Sequence, residues 1–463
     1  MKKLTSIICL ALIISLNTSM AQESGTINES MLNEFRSVIN SDESVEAIQN
    51  AVSSNDIQKL ALNRNNLGEV DQHFSNRVES KGITDQKSTG RCWLFTGLNV
   101  FRAKVIDEHN MGEFSFSHNF NFFYDQLEKS NLFLEGIIST VDKPMDDKKV
   151  EWLFKNAISD GGQWTGVADI ITKYGLVPAD VFPESYNSEN TRWMSRFIRR
   201  KLKENGLTLR EMYANGTKEK KLRETKNSML QEIYRILMIS LGEPPTEFEW
   251  RYKDKDGKLS ELKTYTPKSF YEEFVNIDLK EYIMFMNDPT REFDKIYEIE
   301  FDRHIVEGQN WKYLNLEADK IKQFAIASIQ GNEAMYFSCD VGKQLDKERG
   351  YLDVNNYDYN ALFGVNFDMD KKQRIQTFES GSTHGMALVA VDIQENKPVK
   401  WLLENSWGNK GFEGHLIMTD EWFNEYMFRM VINKSYIDEE TLKMLEQEPI
   451  MLPPWDPMFE PDN

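Results

Sequence analysis

The chain has 463 residues, 40% of them hydrophobic and 28% charged, which is enough apolar material for a large packed core and two or three structural units. Its formal net charge of -19 sets up a field that repels nucleic acid and anionic membrane surfaces, so neither is expected as a partner. No HExxH, CxxC or paired-histidine spacing occurs, so no metal and no cofactor is expected.

Residues 1–21 read as a secretory signal peptide: Lys2 and Lys3, an apolar run from Ile7 to Leu16, then Ser19-Met20-Ala21. The run is too short for a comfortable membrane span, and Cys9 lies inside it rather than at its end, so no stable membrane anchor is expected. The expectation is export, periplasmic or secreted, after cleavage near Ala21. Residues 22–60 are polar and read as an N-terminal arm.

Residues 61–190 are expected to be mainly helical. From Asn63 to Arg77 there is no clear period, and a loop leads to Cys92. From there Leu94, Leu98, Phe101 and Val105 recur at helical spacing, so Cys92 falls at or near a helix N-terminus. A second helix is expected near Phe120–Ser130. Gly161-Gly162 makes a turn before a third helix, Trp164–Tyr174, and Pro178 and Pro183 break the chain. Residues 191–320 are charged and mostly helical in pattern. The basic run Arg199-Arg200-Lys201, with Arg196 and Lys203, reads as a solvated helix face. Asp256-Gly257 marks a hairpin turn. Residues 321–445 shift towards strands, at Ala334–Cys339, His384–Val391 and Lys400–Glu404. Within residues 446–463, Pro453, Pro454, Pro457 and Pro461 exclude a helix, so an extended C-terminal arm is expected.

With Cys9 removed, only Cys92 and Cys339 remain, which is no disulfide scaffold. Cys339 reads as a buried thiol outside any disulfide. Peptide hydrolysis needs a nucleophile, a base, a group orienting that base and donors for the oxyanion. A lone cysteine is structural by default. At a helix N-terminus, however, the helix dipole favours its thiolate, which makes Cys92 the candidate nucleophile. Gln86, six residues earlier, can donate its amide to the oxyanion beside the Cys92 N–H, although a loop glutamine is usually only solvated. His384 opens an apolar run and is the candidate base. Asn405 lies 21 residues later and ends the next strand, where its carboxamide oxygen can accept the imidazole Nδ1–H and fix the tautomer. Trp407 can shield that bond from water.

In order and local context, Gln86, Cys92-Trp93, His384 and Asn405-Ser406-Trp407-Gly408 resemble the papain-like cysteine peptidases. The resemblance implies an α+β, papain-like two-lobed fold, with a helical lobe (61–190) and an antiparallel β-barrel-like lobe (321–445). Residues 191–320 would then be a large helical insertion. Gly90–Phe95, Leu127–Asn131, Asp160–Trp164, Cys339–Lys343 and Trp455–Met458 narrow the resemblance to the bleomycin hydrolase and bacterial aminopeptidase C branch, from about Leu60 to the end. That branch implies a broad aminopeptidase acting on peptides with a free N-terminus. It also implies a homo-oligomer, a hexameric ring with inward-facing sites. In this branch a C-terminal arm lies in the cleft, and its terminal carboxylate holds the substrate's α-ammonium. Thr383-His384-Gly385-Met386 departs slightly from the usual Thr-His-Ala-Met. The tail Phe459-Glu460-Pro461-Asp462-Asn463 departs more, which makes Glu460, Asp462 and Asn463 the candidate amine anchors. Relatives are usually cytosolic, whereas a leader is expected here. Two other readings stay open: a papain-like endopeptidase, and a catalytically silent binding protein on the same fold.

Overall fold

A computed structural model describes residues 25–39, 44–78 and 81–459. The leader expected at residues 1–21 and the tail Glu460–Asn463 lie outside the described residues. The chain divides into two units. One runs up to Arg64 and takes in Tyr357–Phe367. It holds the helices Glu29–Ile39 and Ser44–Ser54, and the Asp358 N–H donates to the Ala61 carbonyl at 2.7 Å. The other, Asn65–Asn356 with Asp368 onwards, contains Gln86, Cys92, His384, Asn405 and Trp407.

In this second unit α1 (Cys92–Glu108) begins at Cys92, as the spacing predicts. It is buried on nearly every face, including Asn99 and Arg102, so it runs through the core rather than lying on it. α2 (His118–Ile138) is longer than the sequence suggested. Ser117 caps it by accepting the Phe120 N–H at 3.1 Å. α3 (Trp164–Tyr174) ends at Gly175, which has φ +80°. A Cβ there would stand 2.2 Å from the Pro267 carbonyl oxygen, so only glycine fits.

α4 (Arg192–Ala214) and α5 (Glu219–Leu241) form a hairpin against α2. Each buries one stripe at spacings of four and seven: Ile198, Leu202 and Leu209 on α4; Leu222, Met229, Ile233 and Leu237 on α5. The region 191–320, expected to be mostly helical, changes character after Leu241. The antiparallel pair Phe248–Trp250 and Lys263–Tyr265 flanks the turn at Gly257, and three strands follow: β1 (Tyr282–Met286), β2 (Lys295–Ile299) and β3 (Lys312–Asn315). Their apolar residues alternate or run continuously, which suits a sheet buried by its neighbours.

After α6 (Ala318–Gln330) come β4 (Met335–Cys339), β5 (His384–Gln394), β6 (Lys397–Glu404), β7 (His415–Thr419), β8 (Met427–Asn433) and β9 (Ile450–Leu452). These strands join one sheet in the order β9-β2-β3-β1-β8-β4-β5-β6-β7, and two short strands near Tyr351 and Leu345 extend it. Pairing is mostly antiparallel; β9–β2, β1–β3 and β7 with the short strand Tyr351–Leu352 are parallel. The strands after α5 therefore extend the sheet that carries His384. α1 packs on β5 and β4, so the nucleophile's helix and the base's strand share one buried core.

Candidate active site

Cys92 is fully buried at the first turn of α1, where backbone N–H groups point out of the helix. Arg91 precedes it without a side-chain cap. The Arg91 guanidinium is buried, pairs with Glu184 at 3.0 Å and lies over the Phe95 and Phe122 rings. Trp93 Nε1 donates to the Asp160 carbonyl at 2.8 Å, and the Gly90 N–H reaches the Asp160 carboxylate at 3.4 Å. The helix start is thus pinned on both sides of the sulfur.

The register of β5 brings His384 to it. The Gly385 N–H points at Cys92 Sγ at 3.5 Å, and His384 pairs with Cys339 on β4. Asn405 follows directly on β6, whose Glu404 lies opposite Ala387. Asn405 Oδ1 stands 2.8 Å from His384 Nε2 and also accepts the Ser406 N–H at 2.8 Å. This corrects the expectation that Nδ1 would face Asn405. Because Nε2 is the nitrogen that Asn405 engages, Nδ1 is left to serve the sulfur. The Trp407 ring stacks on the imidazole, with centroids 4.7 Å apart and planes inclined by 29°.

Gln86 is buried, and its carbonyl accepts from Thr89 Oγ1 at 2.7 Å. Its N–H donates to the Ser406 carbonyl at 2.8 Å, its Oε1 accepts from Ser406 Oγ at 2.6 Å, and its Nε2 donates to the Thr89 carbonyl at 2.8 Å. The second Nε2 proton remains for an oxyanion. Ser406 is a positioning residue that the sequence reading passed over, although it stands inside the Asn-Ser-Trp-Gly word. The structure therefore brings Gln86, Cys92, His384, Asn405 and Trp407 together. Glu460, Asp462 and Asn463 lie outside the described residues.

Beneath Trp93 lies a buried group that the sequence reading did not find. Asp125 contacts His304 Nδ1 at 2.5 Å and Lys129 at 2.8 Å, and the His304 ring meets Trp93 edge-on at 4.8 Å. Burial pushes the His304 imidazole below its ordinary range, with Lys129 adding to the effect. Burial raises the Asp125 carboxyl, but Lys129 and His304 outweigh it and hold the carboxylate charged. Cβ atoms on Gly162 or Gly166 would come within 2.3 Å of the His304 ring. Gly162 thus lets the Asp160–Gln163 strip lie against His304 and Trp93, and Gly166 lets α3 approach His304. Neither Cys92 nor Cys339 is in a disulfide. Among the described residues there is no cluster of three or more metal-ligating side chains.

The profile of the Peptidase C1-like family matches residues 26–459. The chain is 38% identical to aminopeptidase C of Lactobacillus delbrueckii subsp. lactis over 415 residues, covering 88% of this chain and 92% of that one. It is 39% identical to bleomycin hydrolase of Homo sapiens over 433 residues, covering 91% and 95%. A crystal structure of PepW from Lactobacillus rhamnosis HN001 superposes with a TM-score of 0.92 at 35% identity, over 95% of this chain and all of that one.

Proposed function

The chain belongs to the Peptidase C1-like family, and from that premise we propose that it is a thiol-dependent aminopeptidase working through Cys92, His384 and Asn405. One observation carries the reading: Asn405 Oδ1 fixes His384 Nε2 while the backbone of the next residue, Gly385, meets Cys92 Sγ at the start of α1. In the proposed reaction the Cys92 thiolate attacks the carbonyl carbon of the first peptide bond. The oxyanion is met by the Cys92 N–H and Gln86 Nε2. Imidazolium Nδ1–H protonates the departing amine, leaving an acyl-enzyme. His384 then takes a proton from water, which attacks the thioester and frees the N-terminal residue. Trp407 covers the His384–Asn405 bond, so water competes less for it.

The aminopeptidase limit is assigned to the C-terminal arm. Its described part is tied down in steps. β9 pairs with β2, Asp456 bridges to Arg291, the Met458 carbonyl accepts from Arg429 at 2.8 Å, and Phe459 packs 5.4 Å from Trp152. The acidic segment Glu460–Asn463 continues from there. It is proposed to close the cleft and present the anion that selects a free α-ammonium. Export and assembly of copies into a ring belong to the same proposal.

The test is a digest of matched free and N-acetylated peptides, read by mass spectrometry, with Cys92→Ala as control. Single residues should leave the free peptides only, and the control should be folded and inactive. Internal cuts in the acetylated set would favour an endopeptidase. Turnover by the control would remove Cys92 from the mechanism.

A further inference from the structure

The charged group buried beneath Trp93 has no part in the steps of the reaction, and its bonds lead to one stretch of backbone. Asp125, Gln126 and Lys129 stand on α2 within about one helical turn, and the first two are fully buried. The three protons of the Lys129 ammonium find three acceptors: Asp125 Oδ2 at 2.8 Å, the Gly161 carbonyl at 2.6 Å and the Ser159 carbonyl at 3.3 Å. Gln126 Nε2 donates to the same Ser159 carbonyl at 3.0 Å and to Asp125 Oδ2 at 3.1 Å. Asp125 Oδ1 faces His304 Nδ1, and because a carboxylate only accepts, Nδ1 carries the proton.

Trp93 takes the Asp160 carbonyl, so the successive carbonyls of Ser159, Asp160 and Gly161 are all held by side chains of α1 and α2. Behind Gly162 the His304 ring leaves no room for a Cβ. Hydrogen bonds inside a buried network are strong and hold their geometry, and what this network holds is the Ser159–Gly162 strip. The strip is fastened on both sides of the nucleophile. The Gly90 N–H reaches the Asp160 carboxylate at 3.4 Å, and Trp93 directly follows Cys92. Ser159, Gly161 and Gly162 also line a pocket of about 470 Å³, so the strip is a wall of open space beside the start of α1.

We infer that Asp125, Gln126 and Lys129 are positioning residues for the substrate: they act through the Ser159–Gly162 strip, which sets where the substrate's main chain lies against Cys92. Asp125 and Lys129 offset each other's charge, and burial keeps the His304 imidazole neutral. The network therefore supplies geometry to the site rather than a net field. Its bonds end on backbone carbonyls of the strip, so its loss is read in how substrate binds and not in the reactivity of the thiolate. This inference rests on the reading that Cys92 is the nucleophile.

The test compares turnover with thiol reactivity. Asp125→Asn/Lys129→Met removes one charge of each sign, so the net charge is unchanged. With an unblocked tetrapeptide as substrate, KM should rise at least about tenfold while kcat stays within about threefold, as expected when an interaction held equally in ground and transition states is lost. Alkylation of Cys92 by iodoacetamide, followed by mass spectrometry, needs no ordered peptide and should stay within about twofold of the parent rate. Gln126→Met removes only neutral bonds and keeps a similar side-chain shape, so it decides the matter if the double variant does not fold; its KM should rise at least about threefold. An unchanged KM in the folded variants would overturn the inference. So would alkylation that falls in step with turnover, since the network would then act on Cys92 through Trp93. Turnover that survives full alkylation of the parent would instead overturn the nucleophile reading, and the role of the strip with it.

Discussion

Arg102 and Glu404 tie the nucleophile's helix to the orienter's strand, and breaking that tie should cost stability and activity together. Arg102 lies on α1, ten residues after Cys92. Glu404 ends β6, directly before Asn405. Both are almost fully buried, and Arg102 Nη2 bonds Glu404 Oε1 as well as the Gly82 carbonyl at 3.0 Å. Arg102→Met would leave a buried carboxylate whose second oxygen, Glu404 Oε2, already lacks a donor. Removing one member of a buried pair typically costs about 3–5 kcal/mol, a large share of the roughly 5–15 kcal/mol that holds a domain folded. Replacing both members by apolar side chains removes the stranded charge, so Arg102→Met/Glu404→Met should recover most of that loss. Asn405 moves with Glu404, and a shift of about 1 Å in a catalytic group can cost on the order of 10²-fold in rate. Urea unfolding gives the stability term, and hydrolysis of an unblocked aminoacyl amide gives kcat. The coupling would be refuted by a single variant within about 1 kcal/mol of the parent, or by a double variant no more stable than the single.

Two further substitutions have calculable outcomes. Asn405→Ala removes the acceptor at His384 Nε2 and should lower kcat by about 10²-fold with little change in KM, as expected when a base loses its orientation. An unchanged kcat would take Asn405 out of the mechanism. Asp169, on α3, is pushed up to about 7 by burial, and its Oδ2 has no hydrogen-bond partner. Its folded pKa lies above its unfolded value of 3.8, so between these values the folded state holds a proton that the unfolded chain has lost. Stability therefore falls as pH rises through about 4 to 7. Asp169→Asn should add about 2 kcal/mol above pH 7, after discounting for partial exposure, and nothing below pH 4. A pH-independent difference in unfolding free energy would contradict this.

What could be read from the sequence depended on how local the cause was. Cys92 at a helix start follows from four apolar residues at helical spacing, and the structure begins α1 there. α3 also matches its expected span, because a glycine pair before it and Gly175 after it are local stops. The strands Tyr282–Met286, Lys295–Ile299 and Lys312–Asn315 were not legible in the same way. They are short and lie in charged surroundings, and β1, for one, is a strand because β8 and β3 pair with it from over 25 residues away. The basic run Arg199-Arg200-Lys201, with Arg196 and Lys203, was legible as a solvated helix face, since none of its members is buried. What the run's spacing does not show is a single tertiary contact, the bonds from Arg199 to the Ile158 carbonyl.

The imidazole shows where sequence stops and register begins. Words such as Thr-His-Gly-Met and Asn-Ser-Trp-Gly name the base and its orienter, but neither word says which ring nitrogen faces which partner. That is settled by two antiparallel pairings. β5 against β4 sets His384 opposite Cys339, and β6 against β5 sets Glu404 opposite Ala387. A one-residue slip in either would turn the imidazole or the carboxamide to the other face of the sheet. The Ala387–Glu404 step is held by the buried Arg102–Glu404 pair, and the Gln86–Ser406 bonds clasp the loop just beyond it. The contacts that orient His384 Nε2 are therefore the same ones that carry α1 to the sheet. This is why a substitution at Arg102, ten residues along the helix from the sulfur, should register in kcat.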